Sequence, residues 1–371
     1  MHSNKEIPEW IRALRKDQLS FLETVRQPGP YGRFRYAPEG CFLPHEPLSS
    51  GYAFGSLDKM KAYDGLEEHK KREWADYLRS YQDAETGDFY SREMENLCPP
   101  PEKNALDLRY LIRRMLTRNT SGYLKRMGFP PRYPVHHPEV EAFTDKEKLI
   151  AHLDSFPWDK SPWGAGSHGS MTTGWLFERF KQGEEAFRKP TKWAIEYMLE
   201  KQDPQTGLWG NPSCPLYERV NGAYKVLIKL TITFGMLPKY PEKIIDSVFR
   251  NYSDPAYEMD GCNEFDNAFV LAAALRATDY RKQEIQELVR SRLPFVKPFQ
   301  KEDGGFSYFQ DQCITTNAQV QLIDRPRPQS DMAGTATFVE FFWSAFTILD
   351  WHKELGWRSL WEGVPEKPVE L

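Results

Sequence analysis

Long apolar runs are missing from this chain, and so are paired cysteines, a charge excess and strand-like alternation. No stretch is apolar enough for long enough to span a bilayer, and the first residues, MHSNKEIPEWIRAL, hold nothing that resembles a signal peptide. A cytoplasmic protein with no membrane span is the expectation. The five cysteines, Cys41, Cys98, Cys214, Cys262 and Cys313, are odd in number, widely scattered and never in a C-x-x-C pair, which argues against a disulfide framework and a zinc ribbon. The net charge is only -4, with acids and bases interspersed, so there is no electrostatic footprint for nucleic acid. Alternation with period two is scarce, and little β structure is expected.

What the chain does have is repetition. Four times a helical stretch runs into a glutamine, then a glycine-bearing turn, then an aromatic: Gln27/Gly32/Phe34, Gln82/Gly87/Phe89, Gln202/Gly207/Trp209 and Gln300/Gly305/Phe306. The two most regular copies read YQDAETGDFY and KQDPQTGLWG, and FQKEDGGFSY keeps the shape with one residue fewer. Internal repeats of this kind mean one supersecondary unit stacked on copies of itself. With 371 residues, 40% of them hydrophobic, the chain is long enough for two or three domains, but the repeats argue for a single one over residues 1–371.

Helical periodicity comes in two flavours. Segments near 8–26, 67–82, 145–155, 187–202, 240–252 and 281–299 are amphipathic and charged, as in HKKREWADYLRSY. Segments near 50–62, 104–118, 166–180, 220–235, 261–276 and 329–349 are apolar nearly all round, as in GCNEFDNAFVLAAALRA. A helix apolar on every face belongs inside. Charged and apolar helices alternating six times describe an all-α fold, an (α/α)6 toroid or barrel of six helical hairpins. In such a ring the N-termini of the inner helices converge on one end of a central cavity, where free N–H groups and the positive helix ends favour anions. The residues there are Tyr52; Asp107 and Arg109; Trp163 and His168; Asn221, Tyr224 and Lys225; Asp260, Cys262, Asn263, Glu264 and Asp266; and Asp331, Thr335 and Glu340.

The Gln–Gly–aromatic turns resemble the repeat of squalene–hopene cyclases, and the ring resembles the α/α toroid shared by terpenoid cyclases and the β subunits of protein prenyltransferases. EFDNAFVLAAALR, Glu264 to Arg276, is similar to the DxDD helix of class II terpenoid cyclases. Glu264, Asp266 and Asn267 fall where the three acids would be. The resemblance implies that Asp266 protonates an alkene or epoxide of an isoprenoid-like substrate. Asp260-Gly261-Cys262 is similar to the zinc pair of prenyltransferases, but Gly334 stands where the third ligand, a histidine, is required. No metal and no cofactor are therefore expected.

Asp266 also has a reading of its own. A carboxylic acid donates a proton at neutral pH only if burial and a like charge raise its pKa, and Glu264 or Asp260 could supply that charge. The structural alternative is that these acids cap a helix start. His168 suits acid–base work or a plain cap hydrogen bond, and Cys262 suits a small buried filler. The expected function is a terpenoid cyclase-type enzyme led by Asp266 with Glu264 and His168; the alternatives are a carbohydrate-active hydrolase or lyase pairing Asp266 with Asp331, and a toroid that binds a small molecule without chemistry. Tyr52, Arg109, Trp163, Asn221, Tyr224, Asp260, Cys262 and Asn263 would contact the substrate, isoprenoid or saccharide.

Overall fold

The computed structural model describes residues 6–99, 108–317 and 320–371, and these contain thirteen α-helices. In chain order they fall into pairs. The first are α1 (Glu9–Val25) with α2 (Pro47–Lys59), and α3 (Glu68–Arg79) with α5 (Leu108–Arg126) after the short α4 (Arg92–Asn96). Next come α6 (Lys146–Asp154) with α7 (Pro162–Lys181), and α8 (Arg188–Glu200) with α9 (Leu216–Leu227). The last are α10 (Pro241–Tyr252) with α11 (Gly261–Leu275), and α12 (Lys282–Val296) with α13 (Met332–Ile348). The fold is all-α, and its helices follow the charged-then-apolar order of the sequence pattern. Regular strand among the described residues is confined to one antiparallel hairpin, β1 (Thr316–Asn317) with β2 (Val320–Gln321), in which Asn317 faces Val320. No described helix is long and apolar enough to cross a membrane.

The contrast within one pair shows the rule. In α10 the buried residues Ile244, Ile245, Ser247, Val248 and Asn251 form one stripe, and the charged residues Glu242, Lys243, Asp246 and Arg250 lie outside it. In α11 every residue from Asn263 to Ala274 is buried. Helix α5 departs from the expectation of an all-apolar helix: it carries Arg109, Arg113, Arg114, Arg118, Lys125 and Arg126 and buries only part of its surface. Its buried Arg114 is tolerated because Asp88 accepts from it at 2.6 Å. The fourth inner helix is also not α throughout, since Ile228–Thr233 continues α9 as a π-helical turn.

Contacts gather the chain into two compact units: Met1–His136 with Arg292–Trp343 and Trp351–Arg358, and His137–Ser291 with Ser344–Asp350 and Ser359–Leu371. In the first, α2 packs on α5, and the late segment returns to the beginning of the chain. Gln300 Nε2 donates to Asp17 of α1 at 3.1 Å, Gln18 Nε2 to the Gly304 carbonyl at 2.7 Å, and Met332 N to the Tyr36 carbonyl at 2.8 Å. In the second, α7, α9 and α11 pack in succession, with α8 against α7 and α10 against α11.

The repeated turns explain their own composition. Gln82 and Gln202 donate across the turn to the carbonyls of Gly87 (3.0 Å) and Gly207 (2.8 Å). Their Oε1 atoms accept from the next connection, at Arg132 N and Lys239 N, both 2.8 Å. The aromatics Phe34, Phe89, Trp209 and Phe306 are buried plugs. Two registers differ from the sequence reading. In the first copy Arg26, not Gln27, pairs with Phe34, and in the fourth the left-handed residue is Gly304 (φ +89°) rather than Gly305. Gly207 has φ +70°, and a Cβ there would lie 2.6 Å from Ile244 N. Gly207→Ala is therefore expected to cost roughly 2–4 kcal/mol in urea unfolding. A loss under about 0.5 kcal/mol would show that the turn is not rigid.

Candidate functional site

Helix α11 carries the centre of the site. Asp260, extended at φ −140°, caps it by accepting from Asn263 N at 2.8 Å. Asn263 in turn donates through Nδ2 to the Glu258 carbonyl (2.7 Å) and accepts from Asn221 Nδ2 of α9 (2.8 Å). Helix α9 lies close to α7 because both present glycine there: a Cβ on Gly166 would lie 2.7 Å from the Gly222 carbonyl. That approach brings α7's Trp163 beside Lys225 of α9. The ammonium lies 5.4 Å from the Trp163 ring centroid and 4.6 Å from that of Tyr224.

Asp266, in the second turn of α11, is 1% exposed. Neither of its carboxyl oxygens has a hydrogen-bond partner among the described residues. Burial pushes its pKa up to about 8; Lys225 pulls it down and the Asp260 carboxylate pushes it further up. It is therefore mainly protonated at neutral pH. A buried polar group left unsatisfied costs about 1–3 kcal/mol, and such groups concentrate where a protein needs them for chemistry. The like charge comes from Asp260 and not from Glu264, whose side chain, two positions earlier in the helix, points elsewhere.

Glu264 is fully buried and accepts from Tyr257 Oη at 2.7 Å, with Tyr252 Oη at 3.5 Å. Asn267 accepts from Asn251 Nδ2 at 3.1 Å and donates to the Asn263 carbonyl at 2.7 Å. The three positions resembling the acidic triad thus separate by environment: Glu264 and Asn267 are hydrogen-bonded into the core, and Asp266 is not. Tyr252 and Tyr257, on either side of the turn before α11, were not legible as partners of Glu264; nothing in NYSDPAYEMD sets them apart from other loop tyrosines. His168 lies in the second turn of α7 with its ring 5.4 Å from that of Phe156. It also helps to lower the pKa of His152, whose main depressant is burial. Cys262 is half-buried at the start of α11. Tyr224 packs edge-on against Phe265 (4.7 Å) and Phe269 (5.2 Å).

Asp331, Tyr52 and Arg109 belong to the other compact unit. Asp331 is completely buried, and its oxygens accept from Gly334 N (2.7 Å), Tyr308 N (3.0 Å) and Ile314 N (3.1 Å). Burial still pushes its pKa up to about 7. That arrangement caps α13 and pins a loop, which accounts for the residue structurally. Tyr52 Oη accepts from Asn317 Nδ2 at 3.0 Å, and Arg109 is exposed near the start of α5. Asp107 lies outside the described residues. Thr335 Oγ1 accepts from Phe306 N at 3.0 Å, in the fourth repeat turn. Glu340 pairs with Lys59 at 2.6 Å.

Among the described residues no group of three His, Cys, Asp or Glu side chains is placed to hold a metal ion. The Asp260 carboxylate, one half of the zinc-like pair, is engaged in capping. The residues that the structure brings together are Trp163, Asn221, Tyr224, Lys225, Asp260, Asn263 and Asp266.

No family model matches the chain, and no curated protein does. Among solved structures, a polysaccharide lyase aligns over 91% of this chain and 96% of its own, at 11% identity and a TM-score of 0.45. A likeness at that level says nothing of this chain's activity.

Proposed function

We propose that this chain is a carbohydrate-active enzyme, a hydrolase or lyase, in which protonated Asp266 is the general acid. The observation that carries the reading is the Asp266 carboxyl: buried, neutral near pH 7 and with both oxygens unspoken for among the described residues. In a hydrolysis that proton goes to the glycosidic oxygen as its bond to carbon breaks, while water adds to the carbon and gives up a proton to solvent. In an elimination the same proton goes to the leaving oxygen, while a base takes the proton of the carbon next to the substrate's carboxylate and a double bond forms. The neighbours favour a saccharide over a polyprene. Trp163 is exposed and can take the face of a sugar ring, and Asn221, held through Nδ2 by Asn263, keeps an Oδ1 for a hydroxyl group. The carboxyl is closed off from solvent, so the substrate meets it only once the half-exposed side chains around it move aside.

A second reading keeps one observation. The Tyr224, Phe265 and Phe269 rings beside the acid would suit a carbocation, as in a class II terpenoid cyclase. The Lys225 ammonium at the same place opposes it, because a cation within a few ångströms destabilises a second one.

The test is turnover of a panel of neutral and acidic oligosaccharides, read as new reducing ends and as the ultraviolet absorbance of an unsaturated product, beside squalene and geranylgeranyl diphosphate. Cleavage of a saccharide, falling as pH rises through about 8 because the acid must be protonated, is the expected result. Consumption of an isoprenoid with every saccharide untouched would overturn it.

A further inference from the structure

We infer that Lys225 is an anion subsite beside Asp266, and that the saccharide this site takes carries a carboxylate or sulfate group. The inference rests on the carbohydrate reading above and goes beyond it by naming the substituent.

The argument starts from where the lysine stands. Lys225 belongs to α9, between the buried residues Ala223, Tyr224, Val226 and Leu227. Lys225 itself is only half-buried, so its ammonium is open to a ligand arriving from solvent. A lysine over an aromatic ring elsewhere in the chain also has an acid: the buried Lys59 of α2 has the Glu340 carboxylate at 2.6 Å as well as the Trp343 ring at 5.1 Å. Lys225 has the aromatic half of that arrangement without the acidic half. It lies over Trp163 and Tyr224, and among the described residues it forms no ion pair.

The carboxyl on which Lys225 acts, Asp266, is itself buried and pushed up to about 8, so near pH 7 it brings little negative charge to the ammonium. One helical turn earlier, Asn221 presents an Oδ1 with no hydrogen-bond partner among the described residues, while its Nδ2 is held by Asn263. Cation, unsatisfied amide oxygen, exposed indole and neutral acid thus share one locality, and each lacks what an acidic sugar carries: a negative group for Lys225, a hydroxyl for Asn221, a ring face for Trp163 and a leaving oxygen for Asp266. Carboxylate and sulfate are equivalent in this respect, both presenting oxygens to a point charge.

The test is calorimetric binding to native protein, Lys225→Met and Lys225→Arg, at low and high salt. The probes are a galacturonate tetrasaccharide, a sulfated tetrasaccharide without carboxylates, a neutral hexose tetrasaccharide and geranylgeranyl diphosphate. For native protein we expect one of the acidic sugars to bind at least about tenfold tighter than the neutral one, the gap narrowing with salt. The gap should vanish in Lys225→Met, whose side chain is of similar length, and persist in Lys225→Arg, a control against simple misfolding. Whichever acidic sugar binds tighter identifies the substituent. Equal affinity for acidic and neutral sugars in native protein, or a gap that survives in Lys225→Met, overturns the inference while leaving the carbohydrate reading intact. Binding of the diphosphate alone, or of no probe, overturns both.

Discussion

Replacing Asp266 by asparagine is expected to abolish turnover while making the protein more stable at pH 8. The two effects share a cause. The amide side chain is nearly isosteric with the carboxyl but has no acidic proton to give, so the rate falls by the full general-acid contribution, about 10²- to 10⁴-fold. The stability effect follows from linkage. Burial raises the native pKa to about 8, above the ordinary unfolded value. Between about pH 4 and pH 8 the unfolded chain has released this proton and the native one has not, so native stability falls as pH rises. For a fully buried group the loss reaches the order of 5 kcal/mol by pH 8. The asparagine variant escapes this loss, although its own buried amide costs something at every pH. Its melting temperature should exceed that of native protein at pH 8, and the advantage should shrink or reverse near pH 5. Glu46 and Asp331, both buried and both pushed up to about 7, keep part of the same slope in the variant. An acid that merely decorated a helix start would give the opposite result: a small loss of stability and unchanged turnover. Unchanged turnover removes Asp266 from the mechanism.

Glu340→Gln is expected to be strongly destabilising, by about 3 kcal/mol in urea unfolding. The carboxylate is 27% exposed but pairs at 2.6 Å with Lys59, which is only 5% exposed, and it also supports the Arg126 guanidinium, whose pKa burial lowers. Without it, Lys59 keeps a carbonyl at Gly55 (3.2 Å) and the Trp343 ring. Neither neutralises a buried ammonium. Lys59→Met should cost less, because the carboxylate it abandons reaches water. The double variant Lys59→Met with Glu340→Gln should recover much of the loss, since removing both charges leaves nothing unpaired. If Glu340→Gln alone costs less than about 1 kcal/mol, the ammonium is solvated and the pair is a surface ornament.

The two compact units bear differently on the site. Asp260, Asn263, Glu264 and Asp266 come from one short stretch of chain, and Lys225 and Asn221 from its packing neighbour in the same unit. Asp331, the residue that a paired-carboxylate mechanism would have used, lies in the other unit with its oxygens already committed to three backbone N–H groups. Within this unit the proposed site thus offers one acid, Asp266, and one cation, Lys225.

The helical pairs were legible in the sequence, because periodicity reports directly which faces water wets: α10 shows a stripe and α11 shows none. The two most regular repeated turns were legible too, since Gln82 and Gln202 answer a local need for a cross-turn hydrogen bond and Gly87 and Gly207 one for a left-handed residue. Register escaped at Arg26 and Gly304, where one residue more or less satisfies the same composition. Asp266 was legible as a candidate, but only as one of several acids near a helix start. What separates it from Glu264 is decided in three dimensions: tyrosines at the end of α10 and in the loop after it reach one carboxylate, and no described residue donates to the other. The same holds for Lys225, whose chemistry depends on an absent carboxylate and on the closeness of α7 that Gly166 and Gly222 permit. Sequence determines which side chains avoid water, a property each segment carries by itself. Hydrogen-bond satisfaction and local dielectric belong to segments that packing brings together, and only the packed structure decides which buried group is left without a partner.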